Sequence, residues 1–91
     1  MKKGKFSLGQ TVCTPSVLES IEMLDVLICL QRHRAGDWGD CGPEDSEENE
    51  RSLEHGGFRL LSVYHDRRGV KFWIITEADR SATTVLLPED Y

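Results

Sequence analysis

The chain has 91 residues, 38% apolar and 30% charged, with 16 acids against 11 lysines and arginines and a net charge of −5. That suffices for one domain, residues 1–91, and leaves too little for a second with its own core. The longest apolar run, Val26 to Leu30, is far short of the ~20 residues of a membrane helix, and no lysine- or arginine-rich face stands out, which disfavours tight autonomous nucleic-acid binding.

The acidity is concentrated: residues 37–50 carry seven acids and no base, and the remainder is close to neutral. Lys2, Lys3 and Lys5 are followed by no apolar stretch of the kind a signal peptide needs. Cys13, Cys29 and Cys41 are odd in number and form no C-x-x-C, as free thiols in a reducing compartment would be. The expectation is a cytoplasmic protein with no membrane segment, and a core this small makes a homodimer a natural supplement.

Along the chain, Phe6 to Val12 alternates loosely and predicts an edge strand interrupted at Gly9. Thr14-Pro15 starts a helix, with threonine as N-cap and proline where its missing N–H costs nothing. Val17, Leu18, Ile21 and Leu24 continue at helical spacing. From Val26 to Leu30 the pattern is apolar on nearly every side, which predicts burial on several sides. Residues 15–34 form either one helix or two, and Asp25, a good cap and a poor interior residue, favours a break there. Gly36 to Pro43 is a glycine-rich loop around Trp38. Glu44 to Glu54 predicts a short acidic surface helix stopped by Gly56-Gly57.

Three strands follow: Phe58 to His65, with Leu60, Ser62 and Tyr64 on one face and Arg59, Leu61 and Val63 on the other; Val70 to Thr76, apolar on both faces and therefore central; and Thr83 to Leu87. Asp66-Arg67-Arg68-Gly69 is the first turn and Glu77 to Ser81 the second. The expected class is α+β: helices over about 15–55 packed on a three- or four-stranded antiparallel meander over about 58–88.

Two segments carry a resemblance. Arg32-His33-x-x-Gly36-Asp37-Trp38-Gly39-Asp40, and Trp73 to Thr84 followed by Leu86 to Tyr91, are similar to a family of short bacterial proteins carried on plasmids, integrative elements and prophages. The similarity runs from about Phe6 to Tyr91. Such proteins commonly bear the labels "plasmid-related protein" or "type I restriction endonuclease subunit M". Relatives tend to have a Gly/Ser/Pro break where this chain has Glu22 to Val26. The second label does not fit as chemistry. A methyltransferase needs a cofactor-binding Rossmann-like domain and an Asn/Asp-Pro-Pro-aromatic motif, and 91 residues without a Pro-Pro pair hold neither. The resemblance implies a mobile-element protein with no established activity.

Four constellations are candidates. Glu77, Asp79 and Arg80 are presented between two strands, either as a site or as a turn in which Asp79 bonds the backbone and Arg80 pairs with Glu77 or caps a helix. His33 with Asp37 has the start of an acid–base pair, but with no second histidine nearby a structural histidine is favoured, and Trp38 is expected to staple its loop to the sheet. The acidic block is either a phosphate-like array or a solvated helix face, the latter favoured. The basic tip around Arg67 and Arg68, with Arg59, Tyr64, His65 and Arg80, supports by analogy of fold a small metal-independent ribonuclease-like toxin. No metal or cofactor motif is present.

The expected function is that of a non-enzymatic binding protein with a protein partner, most sharply an inhibitor of a host defence nuclease (anti-restriction or anti-CRISPR type), using His33, Asp37, Trp38, Glu77, Asp79 and Arg80. The ribonuclease-like toxin and a structural or accessory protein are the alternatives.

Overall fold

A computed structural model describes residues 4–91. The Thr14-Pro15 signal operates as the chemistry dictates. Thr14 is extended, its hydroxyl accepts the Val17 N–H at 3.3 Å, and Pro15 opens helix α1, Pro15–Ser20. Helix α2 is Met23–Arg34 and helix α3 is Pro43–His55.

Residues 15–34 thus form two helices, but the break falls at Ile21 and Glu22 rather than at Asp25. Ile21 is extended and buried, plugging the core between the helices. Asp25 stays inside the first turn of α2, where the helix dipole favours a carboxylate. It accepts a two-pronged contact from the Arg67 guanidinium at 2.8–3.2 Å, and Arg67 also reaches Glu22 at 3.0 Å. Arg68 donates to the Ser20 carbonyl. The basic hairpin tip is therefore a clamp on the helix break.

The expected burial of α2 on several sides is also corrected. Val26, Cys29, Leu30 and His33 form one buried stripe, while Leu24, Leu27 and Ile28 on the opposite face are half exposed.

The sheet has strands β1, Gln10–Cys13; β2, Leu60–His65; β3, Lys71–Thr76; and β4, Ala82–Leu86, in the order β1-β4-β3-β2. β2, β3 and β4 form the antiparallel meander, with Leu61 opposite Ile75 and Ile75 opposite Thr84. The sheet is nevertheless mixed, because β1 runs parallel to β4 with Thr11 beside Thr83. A parallel pair needs a long crossover, and the three helices and the first hairpin supply it. β1 starts at Gln10, not at Phe6. At Gly9, φ is +63° and a Cβ would stand 2.3 Å from the Ser81 carbonyl oxygen, so only glycine lets the chain approach β4 there.

Alternation assigns the faces. Leu60, Ser62, Tyr64, Phe72, Ile74, Thr76, Thr83 and Val85 point to one side and are wholly buried. Val17 and Ile21 of α1 and Val26, Cys29 and Leu30 of α2 complete the core with them. Helix α3 lies along the outer edge of β2. The Asn49 side-chain amide donates to the Leu61 carbonyl at 2.7 Å and accepts the Leu61 N–H at 3.0 Å, and Trp38 to Asp40 exchange two backbone bonds with Val63. That closes an edge which would otherwise be open to strand addition.

Candidate functional site

His33, Trp38 and Arg80 do come together, through a residue the sequence reading placed in a strand. The Phe6 ring lies edge-on to His33 (5.2 Å) and stacked with Trp38 (6.3 Å), and the Arg80 guanidinium is 5.9 Å from its centre. Trp38 is buried and its indole N–H donates to Glu50 at 2.7 Å.

His33 is wholly buried, with Nδ1 2.5 Å from Ser62 Oγ and Nε2 2.9 Å from Thr76 Oγ1. Proton counting fixes the direction of the chain. Thr83 gives its proton to the Leu8 carbonyl at 2.6 Å, so Thr76 donates to Thr83 at 2.7 Å. Thr76 must then accept from His33 Nε2–H, and His33 Nδ1 accepts from Ser62. Every polar atom in the row has a partner. Burial, reinforced by the Arg80 charge, lowers the His33 pKa to about 4 and keeps the ring neutral. A neutral imidazole used at both nitrogens and shut from solvent has no proton to exchange with a substrate.

The three carboxylates of the expected surface stay at its edge. Asp37 accepts from Arg32 Nε at 2.7 Å and from the Gly39 N–H at 3.1 Å, and the Arg32 bond holds its carboxyl below the usual range. Asp79 accepts the Ser81 N–H at 2.9 Å, and its carboxyl is held low by its bonds to Ser81. Glu77 is exposed. Arg80 is spent on internal acceptors, the carbonyls of Phe58 at 2.9 Å, Ala78 at 3.0 Å and Ser52 at 3.0 Å and the Ser52 hydroxyl at 3.0 Å, which caps the last turn of α3. It does this from φ +63°, the left-handed region that a non-glycine residue rarely occupies. Among the described residues no group of three His, Cys, Asp or Glu side chains is arranged to hold a metal ion.

The ribonuclease-like set does not converge. Tyr64 is wholly buried, with its hydroxyl donating to the Asp37 carbonyl at 2.5 Å, and burial raises its pKa. His65 is at one end of β2 beside Asp40 (2.8 Å), whereas Arg59 and Arg80 are at the other.

The second face of the sheet, opposite α1 and α2, is only partly covered, with Ile75 and Leu86 buried on it. There Leu61, Val63, Trp73 and Thr84 are half-buried while Arg59 and Tyr91 are exposed. Tyr91 meets Trp73 edge to face at 5.7 Å, and Arg59 Nη1 donates to its hydroxyl at 2.5 Å. The tail is pinned there by Asp90, which accepts from Thr14 Oγ1 (2.7 Å), Ser16 Oγ (2.9 Å) and the Leu87 N–H (2.9 Å). The alternation of Arg59, Leu61 and Val63 was visible in the sequence. Which face the helices would leave uncovered was not.

These features define a two-layer α+β domain with a four-stranded mixed sheet, and no helix among the described residues is long and apolar enough to cross a membrane. Compared with protein-family models, curated proteins and solved structures, the chain matches none.

Proposed function

We propose that this is a non-enzymatic binding protein that docks a protein partner on the second face of its sheet. The observation that carries this reading is the cluster of Trp73, Tyr91 and Arg59, half-buried or exposed on a face that α1 and α2 leave uncovered. Tryptophan, tyrosine and arginine are the side chains that dominate interface energetics, because each brings a large rigid surface and a polar tip. Catalysis has no comparable support, since the one histidine in the core is locked neutral and the candidate carboxylates are paired or peripheral.

The resemblance to mobile-element proteins supplies the context for the partner. In this reading the chain serves an element in a bacterial cell, and the partner is a host defence nuclease that it inhibits. The acidic outer face of α3, with Glu44, Glu47 and Glu48 exposed beside the sheet edge, would suit the basic groove of such an enzyme.

The test is recovery of tagged protein from a lysate of a host carrying restriction or CRISPR systems. A stoichiometric nuclease is expected with the native chain. Trp73→Ala and Arg59→Ala should each weaken capture by ~30-fold or more without changing the circular dichroism spectrum. Capture that is unaffected by both substitutions refutes this face as the docking surface. Growth arrest and RNA cleavage by the purified chain would replace the binding reading with the ribonuclease one.

A further inference from the structure

We propose that the outer face of α2 is the contact of a two-fold symmetric homodimer in which the two α2 helices pack antiparallel. This is independent of the partner reading, which uses the opposite side of the two-layer domain.

The face is apolar and uncovered. Leu24 is 58% exposed, Leu27 52% and Ile28 50%, and Met23 in the same helix is 47% exposed. At the helical repeat, Leu24, Leu27, Ile28 and Gln31 fall within an arc of about 100°, the width of a packing stripe. A contiguous patch of this kind on a small protein marks a contact rather than ordinary surface.

Charge selects a second copy and its orientation. Helix α2 carries Asp25 in its first turn and Arg32 and Arg34 in its last. Pairing two copies in parallel would set like ends together. Antiparallel pairing about an axis near Ile28 sets Leu27 against Ile28 of the other copy and Leu24 against Gln31. On one flank the Asp25–Arg67 pair of one copy then meets the Arg32–Asp37 pair of the other, as alternating charges. On the other flank Arg34 reaches the helix break of the other copy, near Glu19. Among the described residues neither Glu19 nor Arg34 forms an ion pair within the chain, and both are exposed. With Glu19, Glu22 and Asp25 at one end, partly offset by Arg67 and Arg68, and Arg32 and Arg34 at the other, partly offset by Asp37, the charges around the apolar centre are self-complementary under a two-fold. The antiparallel arrangement also opposes the two helix dipoles favourably.

The experiment is sedimentation equilibrium on the purified full chain from micromolar to millimolar concentration. A monomer–dimer equilibrium is expected. Leu24→Asp and Ile28→Asp, at half-exposed positions, should keep the native circular dichroism and melting profile and weaken the dimer by ~30-fold or more. Glu19→Arg and Arg34→Glu should each weaken it, and the double swap E19R/R34E should restore it, a reciprocity that a merely sticky face does not give. A monomer at every concentration overturns the proposal, whether its face then binds anionic vesicles or a different protein. A dimer that survives both aspartate substitutions, or that the double swap fails to restore, overturns the assigned contact.

Discussion

His33 Nδ1 stands 2.5 Å from Ser62 Oγ with both residues wholly buried. The distance is that of a nucleophile and its base, but the surroundings are those of a core. The serine proton is committed to the ring and the ring proton to Thr76, in a row that ends on the Leu8 carbonyl. The row staples helix α2 to β2, β3, β4 and the N-terminal segment. Ser62→Ala strands a buried nitrogen and should cost about 1–3 kcal/mol in urea unfolding. Thr76→Val interrupts the row at its centre, leaving the His33 N–H and the Thr83 oxygen unpaired, and should cost more. Neither should alter capture of a partner once the variant is folded.

The same row sets a pH dependence. The His33 pKa is about 4 in the folded protein against 6.5 when solvated. The unfolded chain therefore binds the extra proton in between, and the folded one does not. Stability that is complete above pH 6.5 is lost as pH falls toward 4, by up to ~3 kcal/mol. Asp25, Asp37, Asp79 and Asp90 have lowered pKa values, so their contributions are present above the usual carboxylate value of 3.8 and fade only below it. Urea midpoints measured between pH 7 and pH 4.5 should fall steadily in the native chain. His33→Gln, which retains a donor toward Thr76, should start less stable and show a much flatter profile across that window. An equal slope in both would assign the effect to other groups.

Asn49 substitutes for a neighbouring strand. Its side chain, 2% exposed, offers Leu61 the donor and the acceptor that another backbone would. Asn49→Ala leaves the Leu61 N–H unpaired at a sheet edge and should cost about 1–3 kcal/mol. Asn49→Asp still accepts that N–H but buries a charge facing the Leu61 carbonyl, and should be worse. Both should raise light scattering on warming, because the opened edge becomes a template for a second strand. A variant that unfolds earlier without associating would separate stability from edge protection.

Much of this fold was written locally. The Thr14-Pro15 start of α1, the apolar run of β3 and the two turns of the meander depend on neighbours a few residues away, and all appear where the chemistry puts them. What depended on distant partners was not legible. Nothing near Gln10 announces that β1 will lie parallel to β4, because the choice is made by the crossover between them. Asp25 does not mark the break between α1 and α2, which falls at Ile21 and Glu22; the Arg67 that holds Asp25 inside the first turn of α2 is 42 residues away. The candidate site shows the same division. Of the expected group His33, Asp37, Trp38, Glu77, Asp79 and Arg80, only His33, Trp38 and Arg80 lie around one residue, Phe6, while the three carboxylates stay apart, and the burial of His33 and Trp38 is a property of the assembled core. Nothing local to Trp73 or Tyr91 assigns them to an open surface, because a strand tryptophan is equally at home on either face until helices have covered one.

Arg80 separates backbone strain from side-chain anchoring. At φ +63° it bears a left-handed cost that glycine lacks, roughly 1 kcal/mol. Its guanidinium offsets this by holding the Phe58, Ala78 and Ser52 carbonyls, tying the β3–β4 turn to the end of α3. Arg80→Ala keeps the strain and loses the bonds, so it should be destabilised by about 2–3 kcal/mol. Arg80→Gly loses the same bonds but relieves the strain, and should recover about 1 kcal/mol of that loss. Arg80→Lys, with one compact ammonium in place of a fork, cannot reach all these carbonyls and should resemble alanine more than arginine. Urea unfolding of the three variants gives the order directly. Partner capture then discriminates the roles: folded Arg80→Gly should bind as the native chain does, while Trp73→Ala, with its fold intact, should not. A folded Arg80→Gly that fails to bind would move the docking surface back to the turn between β3 and β4.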